Sequence, residues 1–566
     1  MIKVLFYHAN EILQYGSNNE DTYSYLGIAA LYLKTHLEIT NPDIASQIEW
    51  LVPAQTKLSD SELVEYCNKV KPDILCTSHY IWNHTFLMEQ LHRVKADLPQ
   101  HMIIAAGGPS IDVNINKTFF DTFPYIDYAM YGPGEQSFAD MIASILTGKK
   151  LVAFNTSNLA WFDKEKKTVI VSNFKYVPQN KISPFLHNKE LFSKMVKNLQ
   201  EKNTEVVIPY ELTRGCPYSC TFCDWNSGLS NKVSRRKDTY KDEIDLFQSL
   251  SIKKIYLADA NVGQYNEDVE MIRYFAYKNL YENAAFEIDG NYSKLRKDNN
   301  LKIYHLLGQA NLVTDQQGFT LSVQDINEKV LENIDRPDVG WDTHLNIINE
   351  LKETFPSKHC KIQIIQGLPG QTVKTWRETL SQICKNKLVL MPFISELLPA
   401  SPAARDKQYQ EKFKFEYSNS MRYESGLFLR GTIPKSCISY TQRDFVTMTM
   451  LTIIYGALAF YTRAGADYAL EDTVDDFLIS DNYKILSDNL YENWTKNDSF
   501  YFTMDLDLNQ KIVSASNLYG PTNNWKNSMF LFKLVAKHNN KKDLFKKMIK
   551  VNDNKFKVGL ESLKAF

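Results

Sequence analysis

The stretch "EVVIPYELTRGCPYSCTFCDW" (205–225) decides how this chain is read. Its first eight residues are mostly apolar and partly β-branched, the composition of a buried strand. Directly behind them come Cys216, Cys220 and Cys223, spaced CxxxCxxC. The chain holds only eight cysteines, and the other five (Cys67, Cys76, Cys360, Cys384 and Cys437) stand singly. Scattered thiols are the usage of a reducing compartment, so the grouped three need a reason of their own.

Working downstream, strand-like runs recur with helical stretches between them: "KKIYLADANVG" (253–263), "AAFEIDGNYS" (284–293), "GFTLSVQD" (318–325), "KIQIIQGLPG" (361–370) and "LVLMPFISELLP" (388–399). With the strand at 205–212 they make six βα units, which predicts a partial or full (β/α) barrel over 205–404. The cysteines then lie on the loop after the first barrel strand, at the end of a barrel where reactive groups collect.

Upstream, strand and helix alternate five times within 1–150, which predicts a doubly wound parallel sheet, Rossmann-like in form. Ligands of such sheets sit beyond the carboxyl ends of the strands. Those ends are Tyr7–Asn10, Ser78–Asn83, Gly107–Ile111 and Tyr131–Glu135. Residues 151–204 read as a connector. Beyond 405 the pattern is mainly helical to 566, with "FVTMTMLTIIYGALAFYT" (445–462) as a buried helix and the basic "KHNNKKDLFKKMIKVNDNKFKV" (537–558) as a solvated helix face. The fold class is α/β with a mainly helical C-terminal region.

Bulk properties exclude other classes. The formal net charge is −1, which gives no electrostatic case for nucleic acid or an anionic membrane. No run approaches the roughly 20 apolar residues of a membrane helix. The opening "MIKVLFYHANEIL" turns polar too early for a signal peptide, so a cytoplasmic location is expected.

Three thiolates on one loop leave one iron of a [4Fe–4S] cluster without a protein ligand. An open metal position is where a small molecule binds and reacts, as in catalytic zinc sites. The bland alternative is a zinc site lacking its fourth ligand, and no nearby His or Cys completes one. The spacing, with an aromatic (Phe222) before the last cysteine, resembles the signature of the radical S-adenosylmethionine (SAM) superfamily. The resemblance implies a cluster on Cys216, Cys220 and Cys223. It also implies SAM bound to the open iron, and a 5′-deoxyadenosyl radical that takes hydrogen from an unreactive carbon.

Further segments carry the resemblance. "YLADANVG" (256–263) is similar to the DANFG segment of cobalamin-type members, with Val262 in place of Phe, and puts Asp259 and Asn261 towards cofactor or substrate. "TLSVQDINEKVLENIDRP" resembles the barrel strand carrying Ser322 and Gln324, with a helix ending near Arg336. "QIIQGLPGQT" resembles the superfamily's GLPGET-like turn, where Gly367 and Gly370 allow close backbone approach to a ligand; Gln363 stands where a Glu is expected. The first 150 residues look like the cobalamin-binding domain that precedes many such barrels. The matching stretches contain Ser78, Tyr80, Trp82 and Asn83, then Gly107 and Gly108, then Gly132 and Glu135. No DxHxxG occurs, so a bound cobalt would lack the usual lower histidine, and His8, His79 and His84 are expected to be hydrogen-bonding loop residues.

"ISELLPASPAARDKQYQEKFKF" (394–415) resembles the LPNAP-type segment of cobalamin methyltransferases, with Ser401 in place of Asn. "IPKSCISYTQRDF" (433–445) is expected to return to the substrate cavity and carries Cys437. Two chemistries follow from the resemblance. One is cobalamin-dependent C-methylation of a peptide or natural product. The other is peptide epimerisation with Cys437 as hydrogen donor, because "ELTRGCPYSCTFCDW" with "GLSNKVSRRK" (228–237) is also similar to proteusin-type radical peptide epimerases. Either implies a peptide or small-molecule substrate and a protein reductant such as a flavodoxin or ferredoxin.

Overall fold

The computed structural model describes residues 1–15, 21–111, 115, 117–163, 165–179, 181–225, 232–236, 238–292, 295–315, 317–398, 401–424, 427–463, 470–497 and 499–501. The basic stretch 537–558 and part of "GLSNKVSRRK" lie outside the described residues. The chain divides into two compact units. The first comprises Met1–Ser219, Cys223–Val313 and Pro399–Ser401; the second comprises Cys220–Phe222, Thr314–Leu398 and Pro402–Phe566.

The first unit opens with β1 (Ile2–Asn10), β2 (Leu13–Tyr15), β3 (Asp21–Tyr25), β4 (Ile48–Trp50) and β5 (Ala54–Thr56). It continues with β6 (Ile74–Ser78), β7 (Ile103–Gly107), β8 (Tyr128–Met130), β9 (Leu159–Asp163) and β10 (Thr168–Val171). One sheet runs β10-β9-β8-β7-β6-β1-β4, with β5 also paired to β1. Its pairs from β4 to β8 are parallel. Successive residues of β1 enter opposite cores, as a period of two requires. Leu5, Tyr7 and Ala9 pack with Leu63, Leu87 and Leu91 of the helices Asp60–Val70 and His84–Val94. Val4 and Phe6 pack with Ala30, Leu37, Phe138 and Ile142 of Ala29–Thr40 and Glu135–Thr147. Each such large apolar side chain contributes about 1.5–3 kcal/mol on burial. This is the doubly wound sheet expected from the alternation.

The segment read as a connector differs from that expectation. β9 and β10 extend the same sheet with antiparallel strands. The sheet order reverses at β1, with β4 and β5 on one side and β6 on the other. The crevice of such a sheet is expected at this switch point, beyond the carboxyl ends of β1 and β6.

The barrel strands follow in two sets. In the first unit β11 (Glu205–Tyr210), β14 (Lys254–Val262) and β15 (Glu287–Tyr292) are parallel, and the short β12 (Thr213–Arg214) and β13 (Ser234–Arg235) pair beside them in sequence. On its other edge β11 takes β3 in parallel, and β3 takes β2. Tyr23–Tyr25 is therefore strand, paired with Glu205–Val207. The second unit holds parallel β16 (Phe319–Gln324), β17 (Cys360–Gln366) and β18 (Val389–Ile394).

The C-terminal region has an antiparallel hairpin, β19 (Glu416–Glu424) and β20 (Leu427–Ser436), with β21 (Ser499–Tyr501) added to β19. Its helices are Gln442–Arg463, Leu470–Leu478 and Asp481–Asn497. The first is the expected buried helix, with Phe445, Met448, Leu451, Ile454 and Leu458 all buried. Among the described residues no helix is long and apolar enough to cross a membrane.

Candidate functional site

In the first unit, β11 leads into the cysteine loop, and the loop is held from below. Asp259, near the end of β14, accepts hydrogen bonds from the backbone N–H groups of Leu212 and Thr213 at 2.8 and 2.9 Å. Both carboxylate oxygens are thereby engaged in shaping the strand exit. Burial pushes this carboxyl up to about 7, and the two backbone donors only partly oppose the shift. Two residues on, Asn261 donates from Nδ2 to Cys216 Sγ at 3.0 Å. Both residues are buried.

The arginines beside the loop are contacts that the sequence reading missed. Arg214 forms an ion pair with Glu135 and a second with Glu211 at 2.9 Å, and its guanidinium lies 5.4 Å from the Tyr32 ring centre. Arg235 pairs with Asp268 at 2.5 Å and donates to Thr213 Oγ1 at 2.8 Å. Asp268 in turn accepts the N–H groups of Gly263 and Tyr265 at 2.9 and 3.1 Å. Arg236 and Glu243 form a fully buried pair. The signal for all three was a basic residue flanking the cysteines on each side, at 214 and at 235–236.

At the sheet's switch point the residues named from sequence do separate jobs. Asn83 donates to His8 O at 2.7 Å and Ser78 O at 3.0 Å, and accepts from Tyr80 N at 2.7 Å. It ties the ends of β1 and β6 together and has no amide capacity left for a ligand beyond a lone pair. Tyr80 and Trp82 stack at 4.6 Å with an 8° angle, and Trp82 is 45% exposed. Gly107 O accepts His79 N at 2.7 Å. Gly108 has φ +108°, and a side chain there would meet His79 O at 2.5 Å. Gly132 sits against the Phe174 ring. Glu135 is buried and committed to Arg214.

His8 and His79 are buried and His84 is half-buried, and among the described residues some of their nitrogens lack partners. His79 Nε2 bonds Thr77 Oγ1 at 2.8 Å, as expected of a loop histidine. His8 Nε2, His79 Nδ1 and His84 Nδ1 have no partner among the described residues. Burial pushes His8 and His84 down to about 4 and His79 well below its usual value. All three imidazoles are therefore neutral at pH 7.

In the second unit, Phe222 packs against Val330, Leu331, Ile334, Ile365 and Leu368, beside the GLPG turn. Thr221 N donates to Ile334 O at 2.9 Å, and Thr221 Oγ1 donates to Tyr409 OH at 2.9 Å. A pocket here is lined by Phe222, Leu368, Glu396, Tyr409, Phe415 and Tyr417. Ser322 bonds Gln363 across the sheet, so the glutamine found in place of Glu has a structural partner. Gln324 has φ +70° at a register shift between β16 and β17, a conformation that non-glycine residues adopt at a cost and that clusters at functional sites. Arg336 donates to Ser322 O.

The SCISY segment (436–440) closes on the GLPG turn. Gly370 N donates to Ser439 Oγ at 2.9 Å, and Tyr440 OH donates to Gly367 O at 2.9 Å. Cys437 Sγ lies 3.2 Å from that same Ser439 Oγ. Gln371, also unremarked in sequence, accepts the Gly367 and Leu368 N–H groups and donates to Asp325 at 2.6 Å.

None of the eight cysteines is joined in a disulfide among the described residues. Among the described residues no three His, Cys, Asp or Glu side chains are gathered at the spacing of one metal's ligands. The three loop cysteines are thus a donor set on one loop, and not an assembled cage.

A strand, a three-thiol loop and further parallel βα units define a class. Residues 210–383 match the family model of the Radical SAM superfamily, and this segment is a radical SAM domain. Such a domain implies SAM and a [4Fe–4S] cluster. The cobalamin-dependent radical SAM methyltransferase TokK of Streptomyces tokunonensis is 26% identical over 385 residues, covering 67% of this chain and 54% of that protein. The 2-(S-pantetheinyl)-carbapenam-3-carboxylate methyltransferase of Streptantibioticus cattleyicolor is 25% identical, covering 63% of this chain and 51% of that one. This chain thus spans about half the length of these curated relatives. The fold is also that of OxsB, a cobalamin-dependent SAM radical enzyme solved with aqua-cobalamin bound. Its TM-score is 0.55 at 13% identity, over 99% of this chain and 81% of that one. The methyltransferase TsrM of Kitasatospora setae, with cobalamin and a [4Fe–4S] cluster bound, gives 0.53 at 13% identity, over 74% and 77%. None of these four is named an epimerase.

Proposed function

We propose that this chain is a cobalamin-dependent radical SAM methyltransferase that methylates a carbon of a peptide or natural product. The observation that carries the reading is the pairing of two constructions in one chain: a doubly wound sheet with its switch point at β1 and β6, and a loop behind β11 that carries three thiols, none of them in a disulfide among the described residues. The methyltransferase names of TokK and of the carbapenam enzyme support it.

The residues fit the groups the reading requires. Three thiols of one loop suit iron, and Cys216 already receives an N–H donor of the kind that surrounds cluster sulfurs. Among the described residues His8 Nε2 and His79 Nδ1 lack partners, and both residues lie at the carboxyl ends of β1 and β6, the side on which a bound cobalamin would sit. Trp82 stacked on Tyr80 presents an exposed flat face on the same loop. When bound, the cluster with SAM would supply a carbon-centred radical for hydrogen abstraction, and cobalamin the methyl group. Cys216, Cys220 and Cys223 would hold the cluster. Phe222, Gly367 and Gly370 would line the SAM side, Asp259 shapes the loop, and Ser322 and Gln324 lie at the end of β16.

A second reading has one observation in its favour. Cys437 is bound through Ser439 to the Gly370 turn, so its thiol is fixed beside a segment assigned to cofactor binding. A thiol there could return a hydrogen atom to a substrate radical, leaving a thiyl that needs one electron and one proton from the reductant. The experiment is anaerobic turnover with hydroxocobalamin, SAM and a low-potential reductant in deuterated water. Methylation gives a product heavier by one methylene. A product carrying one solvent deuterium and no methyl, lost in Cys437→Ala, selects the second reading, and neither product rejects both.

A further inference from the structure

We propose that Asn261 is a positioning residue that sets the reduction potential of the iron–sulfur centre through its bond to Cys216. The inference rests on the cluster assignment above and goes beyond it, because it concerns a residue that is not a ligand.

The geometry is specific. Asn261 Nδ2 lies 3.0 Å from Cys216 Sγ, with both side chains buried. A ligating cysteine carries no proton, so only the NH2 side of the amide can face it. The amide oxygen, Oδ1, is buried without a partner among the described residues, so no second bond seen there accounts for the orientation of the side chain. The backbone around it is fixed from several sides. Gln264 N donates to Asn261 O at 3.2 Å. Asn299 Nδ2 donates to Gly263 O at 2.9 Å. Asp268 clamps the Gly263 and Tyr265 N–H groups and is itself held by Arg235. The clamp gives Arg235 a role beside the cysteine loop: it steadies the turn that aims Asn261.

The consequence is electrostatic. Reduction of the cluster adds one electron, part of whose density rests on the ligating sulfurs. An N–H dipole aimed at one of them stabilises the reduced form more than the oxidised form and raises the potential. In a buried site that dipole is little screened by water. Replacing the amide by a methyl group removes the dipole. Replacing it by a carboxylate of the same shape puts negative charge against the sulfur.

The test uses the full-length protein reconstituted anaerobically, with iron and sulfide counted before any potential is measured. Asn261→Ala and the isosteric Asn261→Asp are compared with wild type by EPR-monitored redox titration without SAM or substrate. The expected result is wild-type iron content in Asn261→Ala with a lower midpoint, and a still lower one in Asn261→Asp. The reduction equilibrium should shift at least tenfold, about 59 mV for one electron. Asn261→Gln, which keeps the NH2 group, should restore part of the shift. Unchanged midpoints at full iron content overturn the proposal. So does loss of the cluster from all three variants, which would make Asn261 an assembly residue. A wild-type protein that takes up no cluster overturns the reading beneath it, and is told apart by the iron count alone.

Discussion

Arg214 and Glu135, 79 residues apart in sequence, form a buried ion pair. Arg214 precedes Cys216, the first cysteine of the loop, by two positions, and Glu135 opens the helix Glu135–Thr147 of the doubly wound sheet, where a negative charge also suits the helix dipole. Within the first unit, one contact therefore joins the sheet to the cysteine loop. Removing one partner of a buried pair typically costs about 3–5 kcal/mol, because the other charge is left unpaired.

The first prediction follows from the asymmetry of that contact. Arg214 neutralises Glu211 as well as Glu135, so Arg214→Met strands two carboxylates, whereas Glu135→Gln leaves the arginine a partner. Arg214→Met should be the more destabilising of the two. The double variant should recover part of the loss. Chemical denaturation of the four proteins in a double-mutant cycle measures this; equal losses that simply add would contradict it.

The second concerns pH. His8 is held near 4 in the folded protein, against 6.5 for a free imidazole, so the unfolded chain binds the extra proton between those values. Its contribution is complete above pH 6.5 and is lost as pH falls towards 4. Between pH 6.5 and 5 the loss is about 2 kcal/mol. Denaturation midpoints across that range should fall more steeply in wild type than in His8→Gln. Parallel slopes would show that His8 is protonated without cost.

The third tests the glycine turn. Gly370 has φ +99°, and a Cβ there would stand 2.5 Å from Asn333 Nδ2. Gly370→Ala should destabilise by about 1–3 kcal/mol from backbone strain alone. Asn333→Ala in the same chain should relieve the contact and leave the strain, so thermal melts should show partial rescue. Full rescue would mean that the backbone strain is negligible.

Much of this architecture was legible in local pattern. The short apolar-rich runs of β1 and β6, the helices between them and the strand before Cys216 all announced themselves within short windows. The candidate site drew on chemistry set in adjacent residues, Cys216, Cys220 and Cys223 and the GLPG turn, because such motifs are written in short windows. What escaped depended on distant partners. Tyr23–Tyr25 is a strand because β11, some way down the chain, supplies its hydrogen bonds, and no local period encodes that pairing. β10 is a short edge strand and β9 its short inner neighbour, both inside a mixed segment. Asp259 was read as facing a ligand, and its two oxygens instead take the Leu212 and Thr213 amides, a distinction that composition cannot make. Glu135 likewise belongs to Arg214.

The account stands on Cys216, Cys220 and Cys223 holding one cluster with an iron left open to SAM. The direct measurement is EPR of the dithionite-reduced, reconstituted protein, with and without SAM, alongside Cys216→Ala, Cys220→Ala and Cys223→Ala. A [4Fe–4S] signal that changes on SAM addition, and that disappears in each variant, is the predicted result. A SAM-insensitive signal, or one that survives removal of any of the three thiols, would contradict it.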